Sequence, residues 1–304
     1  MRIHQDWSTT AFDFEAVATH TGPFPRRPFL ETWWRHGGAA AELMLVEFPS
    51  GLLPLRTADG VVTFVGDADV TDYHSPLGDV TAIPQLVELL PPGTRLVLDS
   101  LPGAAADVLV AGLAAAGINA TPRQHEVAAV LTLPATFEDW MMGLGKKTRH
   151  EVRRKGRRFE TLLGPNRLER ANGPVAVKEF AAMHRRAFGE KGGFMTPEME
   201  VFFADLHAHA GAVIDVLYGA GPNPVAAAFG FEDDTTYYLY NSAYDPDMRE
   251  ASPGIVLLSS LVARAFVDGR TTIDFLKGNE PYKFQHGAHP RALYAIEVTV
   301  GAES

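Results

Sequence analysis

The chain holds no cysteine in 304 residues. That absence excludes disulfides, thiolate-bound zinc, iron–sulfur clusters and a cysteine nucleophile, and it fits a reducing cytoplasm. Long apolar runs are missing too. Nothing approaches the roughly 18 residues of a membrane helix, and the opening MRIHQDWSTTAFDFEAV carries acids but no apolar core of signal-peptide length. A soluble, cytoplasmic protein with no membrane span is expected. Nor is positive charge in surplus: 27 basic against 37 acidic side chains leave a net −10 at pH 7, which argues against a surface given over wholly to nucleic acid.

Several catalytic signatures are also absent. There is no GxSxG elbow, no GxGxxG follows a strand, and GLGKKT lacks the first glycine of a phosphate loop, its place being taken by Trp140. Serine hydrolases, NTPases and dinucleotide-dependent oxidoreductases are disfavoured. Neither His125-Glu126 nor His150-Glu151 is completed to HExxH, and His207 and His209 stand two apart on a helical stretch, pointing in different directions. No metal is expected. Asn119-Ala-Thr121 matches the glycosylation tripeptide by chance, given no secretory signal.

What is present is the composition of a globular protein, 46% hydrophobic and 21% charged, with room for one large domain or two ordinary ones. Short β-rich runs bounded by Pro or Gly predict strands at Glu42–Phe48, Val61–Gly66, Thr94–Leu101 and His125–Leu133, with helices over 82–90 and 104–117 between them. Thr136-Phe-Glu-Asp139 has the form of a capping box and opens a new helix. A boundary is placed near residue 135, giving domains 1–135 and 136–304. The second half reads as a helix over 177–190, strands over 211–219, 224–233 and 235–245 with the last two as a hairpin, a helix over 252–269, a strand over 271–278, a turn or short helix over 281–287 and a last strand over 292–300. The order of elements predicts two copies of one mixed-sheet α/β unit.

Three stretches carry the chemistry. Ser252-Pro253-Gly254 precedes an almost uniformly apolar helix. A serine N-cap with proline at the first helical position suits plain capping, and the small residues also suit a phosphate at the helix start. Between Lys146 and Arg158, KKTRHEVRRKGRR sets eight basic residues against one acid, with Arg149, Arg153 and Arg157 on one helical face. A solvated face and a site for an anionic ligand are both open there. Finally, DFLKGNEPYKFQHG ends a strand in Gly278 and crowds Glu280, Tyr282 and Lys283 into four residues.

The run from Tyr244 to Phe284, and DFLKGNEPYK most specifically, resembles the CelD-like branch of the GNAT acyltransferase superfamily, also called the BioF2-like acetyltransferase family, near the FemAB peptidyltransferases. PFLETWWRHGG, GDADVTDYHSPLG, KKTRHEVRRKGRR and HRRAFGEKGGF resemble further motifs of that family. One departure is visible: Ser252-Pro253-Gly254 stands where ordinary GNAT enzymes carry a Gln/Arg-x-x-Gly-x-Gly phosphate loop. The resemblance implies tandem GNAT-like acyltransferase domains, the second holding the acyl donor between two splayed strands, with acyl-CoA (acetyl-CoA) as co-substrate. Ser252, Pro253, Gly254 and Gly278 would then bind the donor. Glu280 or Asp274 would serve as base or amine anchor, Tyr282 as acid for the leaving group, and Lys283 as the charge at the oxyanion or a phosphate. An Asp274–Lys283 structural ion pair is the bland alternative. Asp72, Tyr73, His184, Arg149 and Tyr244 are the substrate-binding candidates. The implied activity is N-acylation of a small-molecule amine or sugar. The alternatives are a FemAB-like aminoacyltransferase, meeting transfer RNA through the basic helix 146–158, and a non-catalytic binding protein of a polysaccharide pathway.

Overall fold

The computed structural model describes residues 1–14, 21–187 and 189–301. Its chain forms two compact units, Met1–Val127 with Arg291–Ser304, and Ala128–Pro290. The elements in order are β1 (Arg2–His4), α1 (Arg27–Gly37), β2 (Glu42–Phe48), β3 (Ser50–Ala58), β4 (Val61–Phe64), β5 (Leu77–Asp79), α2 (Ile83–Leu89), β6 (Arg95–Pro102), α3 (Gly103–Ala115) and β7 (Arg123–Thr132). Then follow α4 (Phe137–Gly143), α5 (Lys146–Leu163), β8 (Arg167–Ala171), α6 (Pro174–Arg185), α7 (Glu190–Phe194), α8 (Pro197–His209), β9 (Val213–Tyr218), β10 (Pro224–Glu232), β11 (Thr236–Tyr244), α9 (Pro253–Val267), β12 (Thr272–Lys277), α10 (Pro281–Gln285) and β13 (His289–Thr299). The helix expected over 177–190 runs instead over α6, and its predicted Phe188 lies outside the described residues, as do Glu15 to Val17 of the opening stretch.

The first unit is a mixed sheet of order β1-β2-β3-β4-β6-β13, with β5 against β3. Its last strand comes from the far end of the chain because β13 pairs antiparallel with β6 from Leu293↔Pro102 to Thr299↔Arg95. The division therefore falls inside β7, not after it, and the final strand does not stay with the second half as the sequence reading has it. Strand β3 escapes pattern reading because Pro54 interrupts it. Proline has no N–H to give a ladder, but the Pro54 carbonyl still accepts from Val65 N–H at 2.9 Å. One hydrophobic core, including Val46, Leu55, Phe64, Leu98, Leu109 and Ile296, fills this unit.

The second unit is a mixed sheet of order β7-β12-β11-β10-β9-β8. The expected hairpin forms between β10 and β11, where the Asp233 carboxylate accepts from the Thr235 and Thr236 N–H groups at 2.8 Å and from Tyr238 Oη. Helix α9 buries Val256, Leu257, Leu258, Leu261, Val262 and Ala265 in the core shared by Ala228, Leu239, Ile273 and Phe275. Thr136 caps α4, its hydroxyl accepting from Asp139 N–H at 3.1 Å and donating to the Asp139 carboxylate at 2.7 Å, so the capping half of the expected box forms.

Each unit contains one short parallel pairing. In the first, β4 and β6 match only at Val61↔Arg95 and Val62↔Leu96. In the second, β11 and β12 match only from Thr236↔Thr272 to Tyr238↔Asp274, although β11 continues to Tyr244. In each, the strand after the crossover helix also carries one left-handed residue, Ser100 (φ 58°) in β6 and Leu276 (φ 58°) in β12, at a shift of register. Such a conformation costs a non-glycine residue about 1–3 kcal/mol unless its surroundings hold it. At Leu276 the holder is Asp274, whose carboxylate accepts the Leu276 N–H at 2.8 Å.

Edge strand β8 is fastened by charge. Arg170 bonds the fully buried Asp215 of β9 at 2.9 and 3.3 Å and Glu232 of β10 at 3.1 Å, while Tyr237 Oη donates to Asp215 at 2.9 Å. Removing Arg170 leaves the buried Asp215 to the more distant Arg264, at 3.8 Å, and Glu232 to Arg270 at 3.4 Å. Arg170→Ala is expected to cost about 3–5 kcal/mol in denaturant unfolding, and Tyr237→Phe clearly less. Equal, small losses in both variants would show that Arg170 is not what fastens β8.

Candidate active site

The site begins where β11 and β12 part. Past Tyr238, the side of β11 facing β12 has no strand partner among the described residues. Beyond Tyr244 the chain makes a 3₁₀ turn over Pro246–Ala251 and enters α9. A cavity of about 380 Å³ opens there, within the range of small-ligand sites. Leu239, Ser242 and Tyr244 of β11 line it, with Ser252, Pro253 and Gly254 at the start of α9 and Leu257, Leu258 and Leu261 beyond. Tyr282 closes one side, and Lys155 and Arg249 supply two cations.

The structure therefore brings Tyr244, Ser252, Pro253, Gly254 and Tyr282 together around one space. Pro253 takes the first helical position as expected, but Ser252 does not cap with its side chain. Its φ of 56° is left-handed, not the extended geometry that turns a hydroxyl back onto the first turn. Its backbone does the work instead, accepting from Ile255 N–H at 3.1 Å and donating to Arg249 O at 3.0 Å. Burial, with the charge of Glu280 as a smaller cause, pushes the Tyr282 hydroxyl up to about 12, so it is a proton donor at neutral pH.

Other expected site residues lie elsewhere. Asp274 is buried under the Leu276 bulge and is not in the cavity wall. Lys283 does not pair with it: its buried ammonium is held by Glu280 at 2.9 Å and by the Lys277 carbonyl at 2.6 Å. Gly278 makes that clamp possible. It has φ 113°, and a Cβ there would collide with the Glu280 carboxylate and the Lys283 ammonium. Arg149 turns back onto the carbonyls of Met142 (2.8 Å) and Leu144 (3.2 Å), closing the end of α4. His184 is buried, with Nε2 3.0 Å from Asn241 Oδ1. Asp72 and Tyr73 belong to the first unit, where Tyr73 is buried against Phe24 under the Arg291 guanidinium. His207 serves structure, accepting from Gly173 N–H at 3.0 Å, and no cluster able to hold a metal occurs among the described residues.

Residues 146–284 match the family model of the acetyltransferase (GNAT) domain. The match takes in the basic helix, the parted strands, the start of α9 and most of α10, and is rather less than half the chain. No curated protein matches. Among solved structures, the chain is similar to a conserved protein of unknown function from Bacteroides thetaiotaomicron VPI-5482, with TM-score 0.63 at 12% identity over 98% of this chain and 99% of that one. It is also similar to FemX, with TM-score 0.61 at 12% identity over 92% of each chain. L-PGS from Bacillus licheniformis follows, with TM-score 0.55 at 11% identity over 94% of this chain and 95% of that one. These likenesses show the fold, mixed α/β; the match to the GNAT domain model lies within the second unit. No helix among the described residues is long and apolar enough to cross a membrane.

Lys155 and Arg249, in the cavity wall, and His286 beside it are not among the residues picked out from the sequence. Lys155 lies in the basic segment, but on the face with Val152 and Phe159 that packs inward, not on the arginine face. His286 looks like one of eleven scattered histidines, yet it is buried directly after α10. Its Nδ1 donates to Tyr282 O at 2.6 Å and its own carbonyl accepts from Trp140 Nε1 at 3.0 Å. Burial first, then the charge of Lys155, lowers its pKa below the ordinary 6.5.

Gly278→Ala is expected to lower stability by at least about 1–3 kcal/mol, read as a shifted denaturant midpoint; an unchanged midpoint would mean the Lys283 clamp is dispensable. For His286, the unfolded chain takes up a proton below pH 6.5 that the folded protein resists, so acidification through that window costs stability. His286→Asn removes this cost. Between about pH 7 and pH 5 the variant is expected to lose less unfolding free energy than the parent, and an equal or larger loss would mean that His286 is not held neutral.

Proposed function

We propose that this protein is an N-acyltransferase that moves an acyl group from acyl-CoA to an amine of a small molecule or sugar, within the CelD-like (BioF2-like) branch of the GNAT superfamily. The observation that carries this reading is the cavity at the parting of β11 and β12, with the start of α9 at its floor. Past Tyr238 the side of β11 with no strand partner among the described residues offers backbone N–H and C=O groups to a donor arm rich in amides. Lys155 and Arg249 offer positive charge to its phosphates, together with the partial charge of the helix start. The leucines of β11 and α9 receive apolar parts of the donor.

Acyl transfer to an amine needs no covalent enzyme intermediate; placing the two substrates supplies much of the rate. Tyr282, protonated and in the cavity wall, is the group that gives a proton to the leaving sulfur. Glu280 and Lys283 act as a pair: the carboxylate and the Lys277 carbonyl fix the ammonium, and the ammonium fixes the loop that delivers Tyr282. The coenzyme is held by Ser252 to Gly254 in this reading, with Gly278 shaping the loop behind.

A second reading keeps the site and changes the donor to an aminoacyl-tRNA. It draws on α5, where Lys146, Lys147 and Arg157 are exposed. Against it, Arg153, Arg154 and Arg158 already face Glu138, Glu151 and Glu250.

Acetyl-CoA at about 100 times its Kd should add about 2.7 kcal/mol to stability, seen as a raised Tm, and Lys155→Glu with Arg249→Glu should abolish the rise. No rise with acetyl-CoA, longer acyl-CoAs or free CoA would overturn the coenzyme reading. Binding of transfer RNA that weakens by orders of magnitude between low and moderate salt would then favour the second.

A further inference from the structure

Beside the donor cavity lies a second, smaller one of about 240 Å³, and the two share Lys155 and Ile255 in their walls. Lys147, Thr148 and Glu151 of α5 line one side of it, and His286 the other. Two features of this chamber have no structural explanation. The first is His286 Nε2. Because Nδ1 donates to Tyr282 O, the neutral ring keeps its lone pair on Nε2, and that atom is buried with no hydrogen-bond partner among the described residues. An orphaned buried acceptor is costly, and a protein recovers that cost when a ligand brings the missing donor.

The second is the start of α5. No side chain caps this 18-residue helix, and its first turn carries Lys146 and Lys147, where the helix dipole disfavours cations. Free N–H groups and an adjacent ammonium form an unfavourable combination in an empty protein and a favourable one around an anion. Glu151 does not supply that anion, since its carboxylate is taken by Arg154 at 2.7 and 3.1 Å.

We infer that the smaller chamber is the acceptor subsite and takes a primary amine bearing a carboxylate or phosphate, with the anion at the start of α5 beside Lys147 and the nitrogen at His286 Nε2, which accepts its proton. The inference rests on the acyltransferase reading and names its acceptor. Residues Tyr282 and His286 stand one helical turn apart on a single short segment, Tyr282 lining one chamber and His286 the next. His286 Nε2 has almost no accessible surface in the empty chamber, so an amine meets it by displacing the side chains that cover it. The reaction balances. The amine lone pair forms the N–C bond at the thioester carbonyl, His286 Nε2 takes one N–H proton, and the C–S bond breaks as Tyr282 Oη protonates the sulfur. Water then carries the proton from the imidazolium back to the phenolate.

Binding is read first, without turnover, from the ¹⁵N ring resonances of His286 in the labelled full-length protein, assigned by their loss in His286→Asn. L-alanine and glucosamine 6-phosphate are the probes, with propylamine and propionate as controls. A saturable shift of Nε2 with alanine or with the sugar phosphate supports the subsite, and which of them acts separates carboxylate from phosphate. No shift with either up to about 50 mM, or an equal shift with propylamine, overturns it.

Turnover is read next as released CoA with a thiol dye, which sees no other thiol because the chain has no cysteine. In His286→Asn the side-chain amide can still donate to Tyr282 O, so the variant should keep the acetyl-CoA-induced rise in Tm while kcat falls about 10²–10⁴-fold. Lys147→Met should raise KM for the amine about two- to fivefold. An undiminished kcat in His286→Asn overturns the proton-acceptor role. Absence of the acetyl-CoA rise in the parent protein overturns the donor reading alone, and the His286 shift still decides the chamber.

Discussion

The candidate site exists because two neighbouring parallel strands are bonded to each other for only three residues. After Tyr238 and Asp274, β11 and β12 part. Each keeps its other edge satisfied, β11 by β10 as far as Tyr244↔Ala226 and β12 by β7. Parting therefore sacrifices few hydrogen bonds and leaves a space along the far half of β11. Divergence also fixes where α9 starts and where the loop after β12 must run. The placement of Tyr282 and His286 follows from that loop, and the Glu280–Lys283 clamp behind Gly278 holds it.

The same device appears in both units. A left-handed residue sits in the strand after each crossover helix, Ser100 in β6 and Leu276 in β12, and each accompanies a change of register. The supports differ: Leu276 N–H is held by the carboxylate of Asp274, and Ser100 N–H donates to His125 Nε2 at 3.2 Å. Two side-chain chemistries solve one backbone problem, which is why repeated architecture leaves so little trace in repeated residues.

Much of this was legible in the sequence because it is local. Short apolar, β-rich runs marked β10, β11 and β12; the apolar stretch after Pro253 marked α9; the crowding of Glu280, Tyr282 and Lys283 marked the loop beside the cavity. What was illegible depends on partners far along the chain. Ser252 stands where a capping residue should, yet its left-handed backbone turns the hydroxyl away from that task. Asp274 looks like a catalytic carboxylate and braces a bulge. Lys283 reads as an available cation and is buried in a clamp. His286 could not be told from ten other histidines, since its distinction is a bound Nδ1 and a buried, unbonded Nε2. Edge strand β8 has no apolar signature, because RLERA is polar; only Asp215 across the ladder makes sense of Arg170.

The return of β13 to the first unit has a consequence for the order of synthesis. A chain emerging from its N-terminus can pair β4 with β6 early, but the other edge of β6 stays open until residues Leu293 to Thr299 have been made. An exposed strand edge is a template for wrong partners. The second unit, contiguous from Ala128 to Pro290, is complete before the first can close. The part translated first is thus the last to finish, and throughout that interval an unpaired β6 is the place where a nascent chain is most open to mispairing and to chaperones.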